Sequence, residues 1–213
     1  MKKRAISLFL LLAWLTVYMS DAGLTVLAYS KDYPNTHLNT GDQAEDLIAV
    51  ALTQAGYTAD STGTKYGAWY GAGMTNVSWC AMFVSWCAHQ AEVPTSVLPK
   101  HATCDVGMNW FKKNRLWYNG AYYGGSYLPQ RGDIVYYSKQ HSLTHATHVG
   151  IVTGTSGKYL QVVEGNTTSD LKTYKVIHRT KSNNRLLADW YIIGYGTPPY
   201  ETAESPEPPK PPS

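Results

Sequence analysis

The chain has 213 residues, 44% of them hydrophobic, enough for one domain of ordinary size around a single core. Its formal net charge is +3, and taking away Lys2, Lys3, Arg4 and Asp21 with the leader described below removes a net +2 and leaves +1. So small an excess excludes an electrostatic case for nucleic acid, while the 17 Tyr and 7 Trp suit a ligand groove as well as they suit a core.

The opening MKKRAISLFLLLAWLTVYMS is cationic and then apolar, and Asp21 closes it short of the ~20 residues that span a bilayer. This pattern predicts a secretory signal peptide over residues 1–30, with small residues around Ala28 for cleavage. The mature protein is then expected outside the cytoplasm, as a monomer with no stable membrane partner. Residues 31–42 read as a linker. From Gln43 to Ala55 apolar residues recur at helical spacing, with Gly56 as the stop. The glycine-rich stretch that follows reads as a loop carrying Tyr66, Trp69 and Tyr70. Asn76 or Ser78 is expected to cap a second helix from Trp79 to Glu92, ending before Pro94. A third spans Cys104 to Lys113.

Beyond Leu116 the period changes. LWYNGAYYGG suggests a hairpin turning at Asn119-Gly120. GDIVYYS, HVGIVTG, KYLQVVEG, TYKVIHR and WYIIGYG are β-branched or aromatic runs separated by turn residues, as in an antiparallel sheet. Helices followed by strands predict an α+β domain over residues 43–197. Residues 198–213, rich in proline and acidic side chains, read as an unpacked tail.

Three cysteines leave at least one thiol unpaired within the chain. Cys80 and Cys87 stand two helical turns apart, roughly 10 Å by helix rise and beyond disulfide reach. Cys87 with Cys104 is the feasible bridge; the alternative is that both are buried thiols. In either case Cys80 is the thiol that needs a reason. At the first turn of its helix, unpaired N–H groups and the helix dipole would stabilise its thiolate. Cys87, in mid-helix, has no such help.

A thiolate attacking an amide needs a base, an orienter for the base and donors for the oxyanion. His148, at the mouth of a strand, is the candidate base. Glu164 and Asn166 lie two residues apart, which in a strand sets them on one face, and either could fix the imidazole. The backbone N–H of Cys80 is the candidate oxyanion donor. Tyr66, Trp69 and Trp79 flank the nucleophile and either wall the substrate groove or pack around the helix start.

The ordered segments KYGAWYG, WCAMFVSWC, PQRGDIVYY, HVGIV and VEGN resemble the CHAP family, the cysteine, histidine-dependent amidohydrolase/peptidase domains of bacterial wall hydrolases. The resemblance runs over about residues 43–197. It implies a papain-like fold with N-terminal helices packed on the antiparallel sheet, and cleavage of amide bonds in peptidoglycan. It also implies that Cys80 is the nucleophile, His148 the base, Glu164 its orienter and Asn166 a further polar member of the site. Endopeptidase cleavage is favoured over the alternatives, an N-acetylmuramoyl-L-alanine amidase or a silent binder of wall peptides. Some members carry an Asp-rich calcium loop before the nucleophile. Here that stretch, TADSTGTKYGAWYG, has Asp60 as its one carboxylate, so no calcium and no other cofactor are expected.

His141, His145 and His148 could hold zinc if the segment were helical, but the Thr-rich run into a strand argues against a helix. Arg131-Gly132-Asp133 spells an adhesion tripeptide; Gly132-Asp133 reads more naturally as a turn into a strand.

Overall fold

A computed structural model describes residues 39–60, 63–156, 159–167, 175–182, 185–187 and 190–202. The predicted signal peptide, most of the predicted linker and residues 203–213 of the predicted tail lie outside these.

Among the described residues four helices precede the sheet: α1 (Gln43–Thr53), α2 (Lys65–Tyr70), α3 (Cys80–Gln90) and α4 (Cys104–Lys113). Asp42 caps α1, its side chain accepting from Glu45 N–H at 3.1 Å. The buried Asp46 carboxylate accepts from the backbone of Thr40 and Gly41, fastening the end of the predicted linker to the first turn. α2 falls where a loop was expected. Thr64 caps it by accepting from Gly67 N–H at 3.0 Å, and Tyr66 anchors it in the core, so capping and burial outweigh the glycine content.

The strands are β1 (Trp117–Asn119), β2 (Ile134–Ser138), β3 (His148–Ser156), β4 (Tyr159–Thr167), β5 (Lys175–Ser182), β6 (Arg185–Leu187) and β7 (Trp190–Gly196). They form one antiparallel sheet in the order β1-β7-β2-β3-β4-β5-β6, and a β6 to β7 pairing closes it on itself. The domain is α+β, as expected. The expected hairpin at Asn119-Gly120 does not form. β1 pairs with the distant β7, and a 3-10 turn, Ala121–Tyr123, follows it. Neighbours in sequence lose here to an edge on which Trp117 can pack against Tyr136.

β2 is buried along its whole length. Tyr136 meets Phe111 of α4, while Val135 and Tyr137 join Val152, Leu160, Val162, Ile192 and Tyr195 in a second apolar cluster. α3, buried from Cys80 through Ala88, packs on β3 and β4. Its approach to β4 depends on Gly165: a Cβ there would lie 2.6 Å from the Trp79 ring and 2.7 Å from Phe83 Cβ.

The Arg131-Gly132-Asp133 tripeptide is structural. Arg131 forks onto Glu45 of α1, Gly132 takes a φ of 87° in the turn, and Asp133 accepts from Gln130 N–H and Tyr127 O–H. The domain also runs past its predicted end at residue 197. Tyr200 donates to Gly132 C=O at 2.8 Å, and the backbones of Gln43 and Glu201 bond at 3.2 Å. The aromatic Tyr200 gives this otherwise prolyl segment something to bury.

Candidate active site

α3 begins at Cys80, with Trp79 as its N-cap and no side-chain cap bond. The expected cap by Asn76 or Ser78 is therefore not made, and the first N–H groups of the helix are left to other acceptors. One of them, Ala81 N–H, bonds the Cys80 sulfur. Cys80 is 5% exposed, and its thiol is held well below the ordinary range. The foremost cause is the neighbouring thiol of Cys104, Sγ to Sγ 3.6 Å. Burial opposes the shift; the bond and charge of His148 and the Ala81 N–H reinforce it.

Cys104 is the first residue of α4, so two helix starts meet at this sulfur pair. Of the two readings left open for Cys87 and Cys104, the structure has the buried thiols and not the bridge: all three thiols are free, and Cys104 faces Cys80. Its bond to Cys80, burial and the charges of Cys80 and Asp105 push the Cys104 thiol well up, so it keeps its proton. Cys87 is fully buried and burial raises its thiol too, which makes it the inert member of the set.

His148, 1% exposed, opens β3 opposite Tyr137 of β2. Burial alone would lower its pKa, but hydrogen bonds and charge from Cys80 and Glu164 outweigh that and raise it. Its Nε2 lies 3.9 Å from Glu164 Oε2, and Glu164 is fully buried. Room for that carboxylate comes from Gly150, where a Cβ would stand 2.6 Å from Glu164 Cγ. The loop before His148 is tied to α4: Asp105 accepts from Ala146 N–H and pairs with His145 Nδ1, both at 2.7 Å. Cys104 and His148 are thus fixed to the same helix start.

Of the predicted residues, Cys80, His148 and Glu164 come together. Asn166 departs from the expected common face with Glu164. The strand register shifts between Glu164 and Thr167, Asn166 takes a φ of 56°, and its side chain lines a neighbouring cleft. That cleft, about 310 Å³, is also lined by Trp79, Asn76, Ser78 and Asp60. Tyr66 is no groove wall: it is fully buried, stacked on Trp79 at 5.1 Å, and its hydroxyl donates to Gln54 Oε1. Trp69 lies against His89 and Lys100 in a separate small hollow of about 60 Å³. The three histidines of the zinc alternative diverge, since His145 pairs with Asp105 and His141 packs at a tilt against Tyr191, ring centroids 3.8 Å apart.

Sequence reasoning missed Cys104 as the neighbour of Cys80, and it missed His101. That ring is buried, with Nδ1 2.7 Å from Pro99 C=O, and its backbone is clasped by Ser85 of α3. Burial lowers its pKa despite the bond to Pro99 and the charge of Cys80, so it is a neutral imidazole near the thiolate. The local signal was available in Thr103-Cys104-Asp105, a capping threonine followed by a thiol at a helix start.

A lowered thiol, a raised imidazole and a buried carboxylate behind it define a cysteine-histidine centre in an α+β domain. Residues 69–166 match the family model for the CHAP domain, a span that takes in Cys80, His148 and Glu164. The match agrees with the resemblance seen in the sequence and supports, in general terms, a peptidoglycan-related amidase or peptidase function. No curated protein and no solved structure matches the chain, so the papain-like comparison rests on the family resemblance alone.

Proposed function

We propose that the protein is a secreted peptidoglycan hydrolase cleaving an amide bond of the stem peptide or cross-bridge, and that it acts as an endopeptidase. The observation that carries this reading is the ordered contact of Cys80, His148 and Glu164, with the thiol lowered and the imidazole raised toward an ion pair.

In this reading the Cys80 thiolate attacks the amide carbon. The oxyanion takes an N–H at the start of α3, where the N-cap Trp79 makes no side-chain cap bond. Protonated His148 passes its proton to the leaving amine, and Glu164 stabilises the imidazolium in the meantime. A water deprotonated by His148 then hydrolyses the thioester. The cleft beside Trp79 offers Asn76, Ser78 and Asn166 to the polar backbone of a peptide.

Cys80→Ala is expected to abolish release of fragments from purified sacculi while the circular dichroism spectrum stays unchanged. Mass spectrometry of the wild-type digest identifies the bond. A new amine between amino acids marks an endopeptidase, whereas glycan freed of intact stems marks an amidase. A protein that keeps its activity as Cys80→Ala would sink the assignment.

A further inference from the structure

We propose that Cys80 and Cys104 together form an oxidation site, in which a hydroperoxide oxidises the Cys80 sulfur and Cys104 resolves the product as an intramolecular disulfide. The inference goes beyond the hydrolytic reading and relies on it only for the consequence that the oxidised protein cannot hydrolyse.

The geometry is specific. The two sulfurs are 3.6 Å apart, in van der Waals contact, although 24 residues separate them and they belong to different helices. In amide hydrolysis the second thiol only helps to hold the Cys80 thiolate, because His148, Glu164 and backbone N–H groups already supply base, orienter and oxyanion donors. Each cysteine is the first residue of its helix. A disulfide of about 2.05 Å asks the sulfurs to approach by roughly 1.5 Å, shared between two side chains at helix ends, where the backbone gives more readily than in an interior turn. Cys87, by contrast, is fully buried in the interior of α3.

The chemistry balances without any further reactant. The Cys80 thiolate attacks one peroxide oxygen, the O–O bond breaks, and the departing alkoxide or hydroxide takes a proton. Cys80 is left as a sulfenic acid. Cys104 then attacks that sulfur; the S–O bond breaks and water leaves with the Cys104 proton. Two thiols have given two electrons to one hydroperoxide. The sequence is also ordered by charge. The Cys80 thiolate is among the groups that keep Cys104 protonated, and converting it to a neutral sulfenic acid removes that restraint at the moment when Cys104 must react. Without a resolving thiol a second hydroperoxide would carry the sulfenic acid to the sulfinic acid, which a thiol reductant does not reverse.

The test treats the purified full chain with one equivalent of hydrogen peroxide and maps its thiols by mass spectrometry after non-reducing digestion. A peptide pair linked through Cys80 and Cys104 is expected, with Cys87 unmodified. Iodoacetamide labelling of Cys80 should be lost and then restored at least tenfold by dithiothreitol. In Cys104→Ser treated with an excess of at least two equivalents of hydrogen peroxide, Cys80 should accumulate as sulfinic acid, with labelling that dithiothreitol does not restore. Should that variant fail to fold, the wild-type map decides alone. Overoxidation of Cys80 with no link, or a link to Cys87, overturns the proposal. Both readouts follow the thiols and use no peptidoglycan, so they stand apart from any failure of the hydrolytic reading.

Discussion

Glu164 is the residue on which the charge state of the site turns. Its carboxylate is fully buried, and together with Cys80 it offsets the burial that would otherwise keep His148 neutral. Replacing it by glutamine keeps the size and removes the charge. The imidazolium then loses a stabiliser, and the thiolate in turn loses part of its partner. Sign follows from the raised histidine and the lowered cysteine: Cys80 titrates higher and His148 lower, so the window in which thiolate and imidazolium coexist narrows from both sides. For Glu164→Gln we expect the pH midpoint of iodoacetamide labelling of Cys80 to rise, and kcat to fall roughly 100-fold. An unchanged labelling midpoint would show that Glu164 does not act on the pair.

At the scale of elements, two close approaches bring the groups together, and glycine makes both. Gly165 lets β4 meet α3, and Gly150 lets Glu164 lie over β3. Gly150→Ala places a methyl 2.6 Å from Glu164 Cγ, so the carboxylate must move. Its expected signature is the same narrowed pH window as Glu164→Gln, accompanied by about 1–3 kcal/mol of destabilisation from overpacking in denaturant titration. A variant as stable as the parent, with the parent's pH profile, would contradict this role. These elements also show how far the sequence could be read. The helix over Cys104 to Lys113, the start of α1 at Gln43 and five of the strands follow from period and capping residues. β1 could not be placed that way: its turn residues favour a local hairpin, and its real partner β7 is reached only through the fold.

Across the molecule, the turn at 130–133 joins the sheet, α1 and the segment after β7. Asp133 is buried there, and desolvation, only partly offset by its bonds to Gln130 and Tyr127, lifts its pKa to about 6. A carboxyl raised on folding adds stability in its protonated form. That contribution is complete below the unfolded pKa near 4 and fades as pH rises through about 6. It corresponds to roughly 3 kcal/mol, so urea unfolding should show stability declining between pH 4 and pH 6 from this group, on top of other titrations. Asp133→Asn should flatten that part of the profile. If the profiles of parent and variant run parallel, Asp133 does not titrate as its surroundings imply.

The sequence by itself determined the α+β class, the thiol at a helix start, the histidine at a strand mouth and the family that their order resembles. Those features are local: a period, a cap position and an order of short motifs, each legible in a few consecutive residues. Only the tertiary structure decided which residues meet. It set Cys104 rather than Cys87 against a partner sulfur, because helix starts far apart in sequence converge. It separated Glu164 from Asn166 through a bulge that strand alternation does not foresee, and it sank Tyr66 into the core while Trp79 kept one edge on the cleft. Spacing along the chain fixes which side of an element a residue occupies. What lies on that side depends on the packing of elements that the chain brings back from a distance.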